Sequence, residues 1–69
     1  MSEELKTVGS DFMPEQKRCR ELLDVYRSIP TGAVGAAIIE RVIREADEAW
    51  ESTDPVRILR AYKAMKECE

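Results

Sequence analysis

Apolar residues recur in steps of three and four along residues 31–52, and no other feature of the sequence constrains the fold as strongly. This spacing matches the 3.6-residue period of an α-helix and not the two-residue period of a strand. Charged residues fill the opposite side, where each favourable pair contributes only about 0.2–0.5 kcal/mol. Burial of the apolar side must therefore stabilise the helix, and that side consists of Ile38, Ile39, Val42, Ile43, Ala46, Ala49 and Trp50.

The start of this stretch contains almost only small residues, including Gly32 and Gly35. A glycine within a helix costs about 1 kcal/mol relative to alanine, so another interaction has to offset it. We favour close packing, since a helix face without bulky side chains lets another backbone approach. An anion site at the helix N-terminus and a frayed first turn are the alternatives. The sequence has no Walker motif and no G-x-G-x-x-G motif to favour the anion site.

Two further helices flank the central one, which predicts an all-α fold with a three-helix domain. The expected helices cover about residues 13–28, 32–51 and 55–68. Residues 1–11 show no sustained apolar period and are expected to form a flexible N-terminal arm, and residues 12–69 form the single helical domain.

Local sequence signals set these helix ends. Asp11 as N-cap and Pro14 in the first turn favour a start of helix one near residues 12–15. Pro30 ends this helix, because proline disfavours the helical conformation in the residue before it. Asp54 as N-cap and Pro55 at the first helical position start helix three.

Length and charge restrict the function. Sixty-nine residues correspond to one domain, and a chain of this size buries only about 60 % of the surface that its unfolded form exposes. Oligomerisation is a common remedy for the thin stability margin that results. The formal net charge of −3 argues against a dedicated polyanion-binding protein.

No catalytic or metal-binding pattern stands out. The chain has no histidine, and its two cysteines, Cys19 and Cys68, belong to no C-x-x-C motif. We therefore expect no metal, no cofactor and no enzymatic activity. Cys19 falls on the apolar side of helix one and is expected to be a core residue. Without a secretory signal, both thiols are expected to be reduced in a cytoplasmic protein, and no segment is long and apolar enough for the membrane.

Two sets of residues are candidates for contact with a partner. The central helix has a widened apolar side that includes Ile39, Ile43 and Trp50. A side this wide suggests contact with both neighbouring helices and with a second subunit. Helix three carries a basic residue at every third position, which is typical of phosphate contact or of a solvated face that pairs with the acidic central helix. These basic residues are Arg57, Arg60, Lys63 and Lys66.

Two segments also resemble a group of small α-helical proteins encoded in bacteriophages and prophages. They are GAVGAAIIERVIREADEAW, residues 32–50, and DPVRILRAYKAMKECE, residues 54–69. The group shares a small-residue helix start, an A-D-x-A segment and a closing R-A-Y-x-x-(M/L)-K-x-C-E helix. The resemblance implies phage origin and residence in the cytoplasm of a bacterial host, and it implies no activity.

The sequence thus favours a small phage-encoded accessory protein that acts by protein–protein interaction and forms a homodimer. Its further partner would be an unidentified host or phage protein. The alternative is a nucleic-acid-associated regulatory protein that uses the basic residues of helix three. A structural component of a virion or packaging assembly is a third hypothesis.

Overall fold

Three helices follow one another along the chain. The computed structural model describes residues 3–69, and side chains from residue 7 onward. Within these residues the chain forms no strand. Helix α1 is Glu3–Ser28, α2 is Ala33–Ser52 and α3 is Pro55–Glu67. The predicted all-α, three-helix class is therefore confirmed.

The helices run up, down and up, and each of them contacts both of the others. Phe12 of α1 stacks on Trp50 near the end of α2, with ring centroids 4.9 Å apart, which makes α1 and α2 antiparallel. At the opposite end of the bundle, the Tyr26 hydroxyl donates to the carbonyl of Glu69, just beyond α3. Helices α1 and α3 are consequently parallel.

The helix ends reflect the local chemistry that the sequence indicates. The Asp54 carboxylate accepts a hydrogen bond from the Val56 amide at 3.0 Å, with Pro55 between them in the first turn of α3. Between α1 and α2, the Gly32 amide donates to the carbonyl of Ile29 at 2.9 Å. This tight turn places α2 directly alongside α1.

The first helix begins earlier than expected. Helix α1 begins at Glu3, so the predicted start near residues 12–15 is wrong. Residues 1 and 2 of the predicted arm lie outside the described residues. Val8 and Phe12 are one helical turn apart and both are buried, so tertiary packing extends the helix through Pro14. Proline at this position removes one backbone hydrogen bond but does not end the helix here.

The core lies between the three helices and contains residues from all of them. Its largest fully buried side chains are those of Phe12, Met65, Val8 and Cys19. Helix α2 contributes five buried residues, of which three are alanines. They are Ala36, Ile39, Ile43, Ala46 and Ala49.

Gly35 accounts for the glycine-rich start of α2. A Cβ atom built at Gly35 would overlap two ring carbons of Tyr26. The Tyr26 ring therefore packs directly on the α2 backbone, as the close-packing interpretation expects. By contrast, a Cβ atom at Gly9 in α1 would meet nothing within 4 Å.

Replacing these two glycines by alanine should have opposite effects. Gly35→Ala should lower the free energy of unfolding by about 1–3 kcal/mol, because overpacking against Tyr26 exceeds the gain in helix propensity. Gly9→Ala should raise it by up to about 1 kcal/mol. Urea denaturation of both variants checks this, and a stabilised Gly35→Ala variant would contradict the close contact.

Candidate interaction surface

The predicted interaction residues of α2 belong to the core of the single chain. Ile39 is 4 % exposed and Ile43 is 8 % exposed. Trp50 is half-buried and stacks on Phe12 at an interplanar angle of 26°. A second subunit would therefore find neither Ile39 nor Ile43 on the surface, and part of Trp50 alone is accessible.

A different set of apolar residues on α2 is exposed. Val34 is 75 % exposed and Ile38 is 58 % exposed, one helical turn apart. Ala33 and Ala37 are exposed beside them. We call these four residues the α2 apolar face. Sequence reasoning left Val34 out and placed Ile38 on the buried side of the helix, which is wrong, because Ile38 points away from both neighbouring helices. The uncharged run from residue 33 to residue 39 marks a segment that is apolar on every side.

The α2 apolar face is open because α3 is too short to reach it. Helix α2 has 20 residues and α3 has 13, so α2 is longer by about 10 Å at 1.5 Å per residue. Helix α2 ends and α3 begins at the turn formed by residues 53–54. At the end of α3, a groove of 360 Å³ is lined by Tyr26, Gly35, Ile38 and Cys68, and also by Ala64 and Glu67 of α3.

Two of the charged residues that border the α2 apolar face, Glu40 and Arg41, are paired within the chain. Glu40 lies 3.5 Å from Arg27 of α1. Arg41 lies 3.1 Å from Glu45, one turn further along α2. All four side chains are more than half exposed, so these pairs add little stability. At the groove that Ile38 lines, Glu67 and Glu69 add negative charge to the border of the face.

The basic residues of α3 are exposed but do not form one straight stripe. Residues three apart on a helix are offset by about 60°, so Arg57 and Lys66 lie about 180° apart around α3. Arg57 and Arg60 line a shallow groove next to Glu45 and Glu48 of α2. The Lys66 ammonium lies 5.4 Å from the centre of the Tyr62 ring. Lys63 is exposed between these two groups.

Arg18 holds the end of α3. Its guanidinium donates to the carbonyl of Met65 at 2.6 Å and to that of Cys68 at 2.9 Å, and it pairs with Glu15 at 2.9 Å. The sequence places Arg18 on the solvent side of helix one, whereas the structure uses it to satisfy the last carbonyls of another helix. A cation at a helix C-terminus also interacts favourably with the helix dipole.

The two cysteines lie next to the Arg18 guanidinium and its two carbonyl acceptors, and both cysteines are buried. The expected core position of Cys19 is confirmed. Burial raises the pKa of the Cys19 thiol from its ordinary value of 9.0 to about 11, and the neighbouring Cys68 thiol adds to the shift. Arg18 acts in the opposite direction, but burial dominates. Cys19 is therefore a neutral thiol at physiological pH.

Comparisons with known proteins supply no relative for this chain. No protein-family model, no curated protein and no solved structure matches it. Among the described residues, no helix is both long enough and apolar enough to cross a membrane. The same part of the chain contains no group of three or more cysteine, aspartate or glutamate residues placed to hold a metal ion.

The raised pKa of Cys19 makes stability depend on pH. Below pH 9 the thiol is neutral in both states, and its contribution to folding is fully present. As the pH rises from 9 to 11, only the unfolded chain loses this proton, so about 2–3 kcal/mol of stability is lost. Urea denaturation under reducing conditions at pH 9 and at pH 11 measures this loss in the wild type and in Cys19→Ala, which lacks the thiol. Equal losses in the two proteins would contradict the expectation.

Proposed function

We propose that this chain is a small accessory binding module that acts by protein–protein contact and not by catalysis. We further propose that its α2 apolar face associates with a second copy of the chain. The exposure of Val34 and Ile38, on a helical segment that is apolar on every side, is the observation that carries this proposal.

The first argument comes from burial. A helix that is hydrophobic on every side is normally buried on every side. In residues 33–39 only the side with Ala36 and Ile39 is covered by this chain. Covering Val34 and Ile38 would add about 1.5–3 kcal/mol for each side chain that becomes fully buried. The face therefore favours association with another apolar surface.

The second argument comes from charge, and it supports a second copy as the partner. Two identical surfaces must meet without bringing like charges together. Here Glu40 is paired with Arg27, and Arg41 with Glu45. On this side of the face, a copy placed against it thus meets paired charges.

The size of the surface sets the expected affinity. The chain exposes 4875 Å², and an interface of roughly a tenth of this area buries about 500 Å² per partner. Stable interfaces of standard size bury about 800 Å² per partner. We therefore expect a weak, reversible dimer.

Ile38→Glu should abolish this association. The charge would be buried against the partner without a counter-ion, so the dimer should weaken at least tenfold. Sedimentation velocity over a range from low micromolar to millimolar concentration measures the effect. The matched control is Val25→Glu on the outward face of α1, where the wild-type side chain is 54 % exposed; this variant should dimerise like the wild type.

Circular dichroism of both variants shows whether the fold is retained, since neither side chain is buried in the monomer. A wild-type monomer throughout the concentration range would overturn the dimer proposal. A dimer that responds to Val25→Glu but not to Ile38→Glu would place the contact elsewhere.

Nucleic-acid binding remains the second candidate because all four basic residues of α3 are exposed. Their spread around the helix and the nearby Glu45 and Glu48 make them a poor match to one phosphate strand. We expect no binding of a short DNA duplex at about 0.15 M salt. Tight binding at that salt, weakened by Arg57→Ala with Arg60→Ala, would reverse the ranking of the two functions.

The phage origin and the bacterial cytoplasmic location remain predictions from the sequence resemblance. A further host or phage protein as partner is also a prediction. Such a partner would compete with the second copy for the same face, and Ile38→Glu would weaken both contacts.

A further inference from the structure

We propose that Cys19 and Cys68 form an oxidisable dithiol, which closes an intrachain disulfide when a small-molecule disulfide is the oxidant. The proposal stands independently of the dimer, because it rests on contacts between α1 and the residues at the end of α3.

One carbonyl oxygen of α3 brings the two cysteines together. The Cys19 sulfur lies 3.6 Å from the carbonyl oxygen of Met65. The Cys68 backbone amide donates to the same oxygen at 3.1 Å. The Cys68 sulfur lies 3.6 Å from the neighbouring carbonyl of Ala64. Both thiols therefore approach the same turn of α3.

The backbone around Cys68 can adjust to the geometry of a disulfide. Cys68 follows the last residue of α3 and has an extended conformation, with φ −75° and ψ 123°. It lies outside the regular helix and keeps one backbone hydrogen bond to it, from its amide to the Met65 carbonyl, while Cys19 lies in the middle of α1. The Arg18 guanidinium holds the Cys68 carbonyl at 2.9 Å and keeps this residue beside α1.

An oxidant reaches the pair through Cys68. Cys68 lines the 360 Å³ groove that also borders Gly35 and Ile38, whereas Cys19 is fully buried. The two thiols therefore differ in access, as the attacking and resolving thiols of a dithiol do.

The reaction is two successive thiol–disulfide exchanges. The Cys68 thiolate attacks one sulfur of oxidised glutathione, which forms a mixed disulfide and releases one glutathione thiolate. The Cys19 thiol then gives up its proton, attacks the Cys68 sulfur and releases the second glutathione, which leaves as a thiol. The protein loses two electrons and two protons, and one glutathione disulfide becomes two glutathione thiols. In a reducing cytosol the pair stays reduced, and oxidising conditions close it.

The full-length chain, reduced and then incubated with oxidised glutathione at dilute concentration, tests the proposal. We expect the mass of the chain minus two hydrogen atoms, no free thiols and a monomer on non-reducing gels. Closing a loop of about 50 residues should raise the Tm by roughly 10–20 °C. Reduction with dithiothreitol should reverse all of these changes.

Two single variants identify the order of attack. Cys19→Ser should accumulate one glutathione adduct at Cys68, because the resolving thiol is missing. Cys68→Ser should remain unmodified, because Cys19 is buried. The same oxidation in the Ile38→Glu background should give the same intrachain product, which separates this proposal from the dimer. Stable glutathione adducts on the wild type, disulfide-linked dimers, or unchanged free thiols would each overturn it.

Discussion

The packing of the Tyr26 ring on Gly35 is the interaction on which the arrangement of the three helices depends. It sets the separation of α1 and α2 at the end of the bundle that follows the Gly32 turn. The hydroxyl of the same side chain donates to the carbonyl of Glu69 and so reaches the residues beyond α3. One tyrosine thereby joins all three elements. A larger residue at position 35 would separate α1 from α2 and move the hydroxyl from its acceptor.

The mismatch in length between α2 and α3 creates the exposed surface on which the proposed dimer rests. Where α3 runs alongside α2, the apolar residues of α2 are covered from both sides. Beyond Cys68 only α1 and the turn before α2 remain as neighbours. Ile39 on the near side of α2 is buried there, while Ile38 next to it in sequence is exposed. A core residue and a surface residue thus differ only in their direction around one helix.

The sequence predicts what local chemistry controls. Asp54 and Pro55 start α3, and Ser28, two residues before Pro30, ends α1, because capping and proline effects act within a few residues. The start of α1 depends instead on the packing of Val8 and Phe12 against the other helices, which no local signal near Pro14 reports. The width of the apolar side of α2 is also readable from the sequence. Which part of that apolar side remains exposed depends on where α3 ends.

The lengths of the predicted helices indicate in part which edge of α2 stays uncovered, because helix three is expected to be shorter than the central helix. The role of Arg18 was beyond such reasoning, because it depends on contacts between residues about 50 positions apart. The same holds for the approach of Cys19 to Cys68. These contacts place the Arg18 guanidinium, the two thiols and the groove at one end of α3, next to the α2 apolar face. A second copy that covers Ile38 would also narrow the groove through which an oxidant reaches Cys68, so association and oxidation of this chain would compete for one end of the bundle.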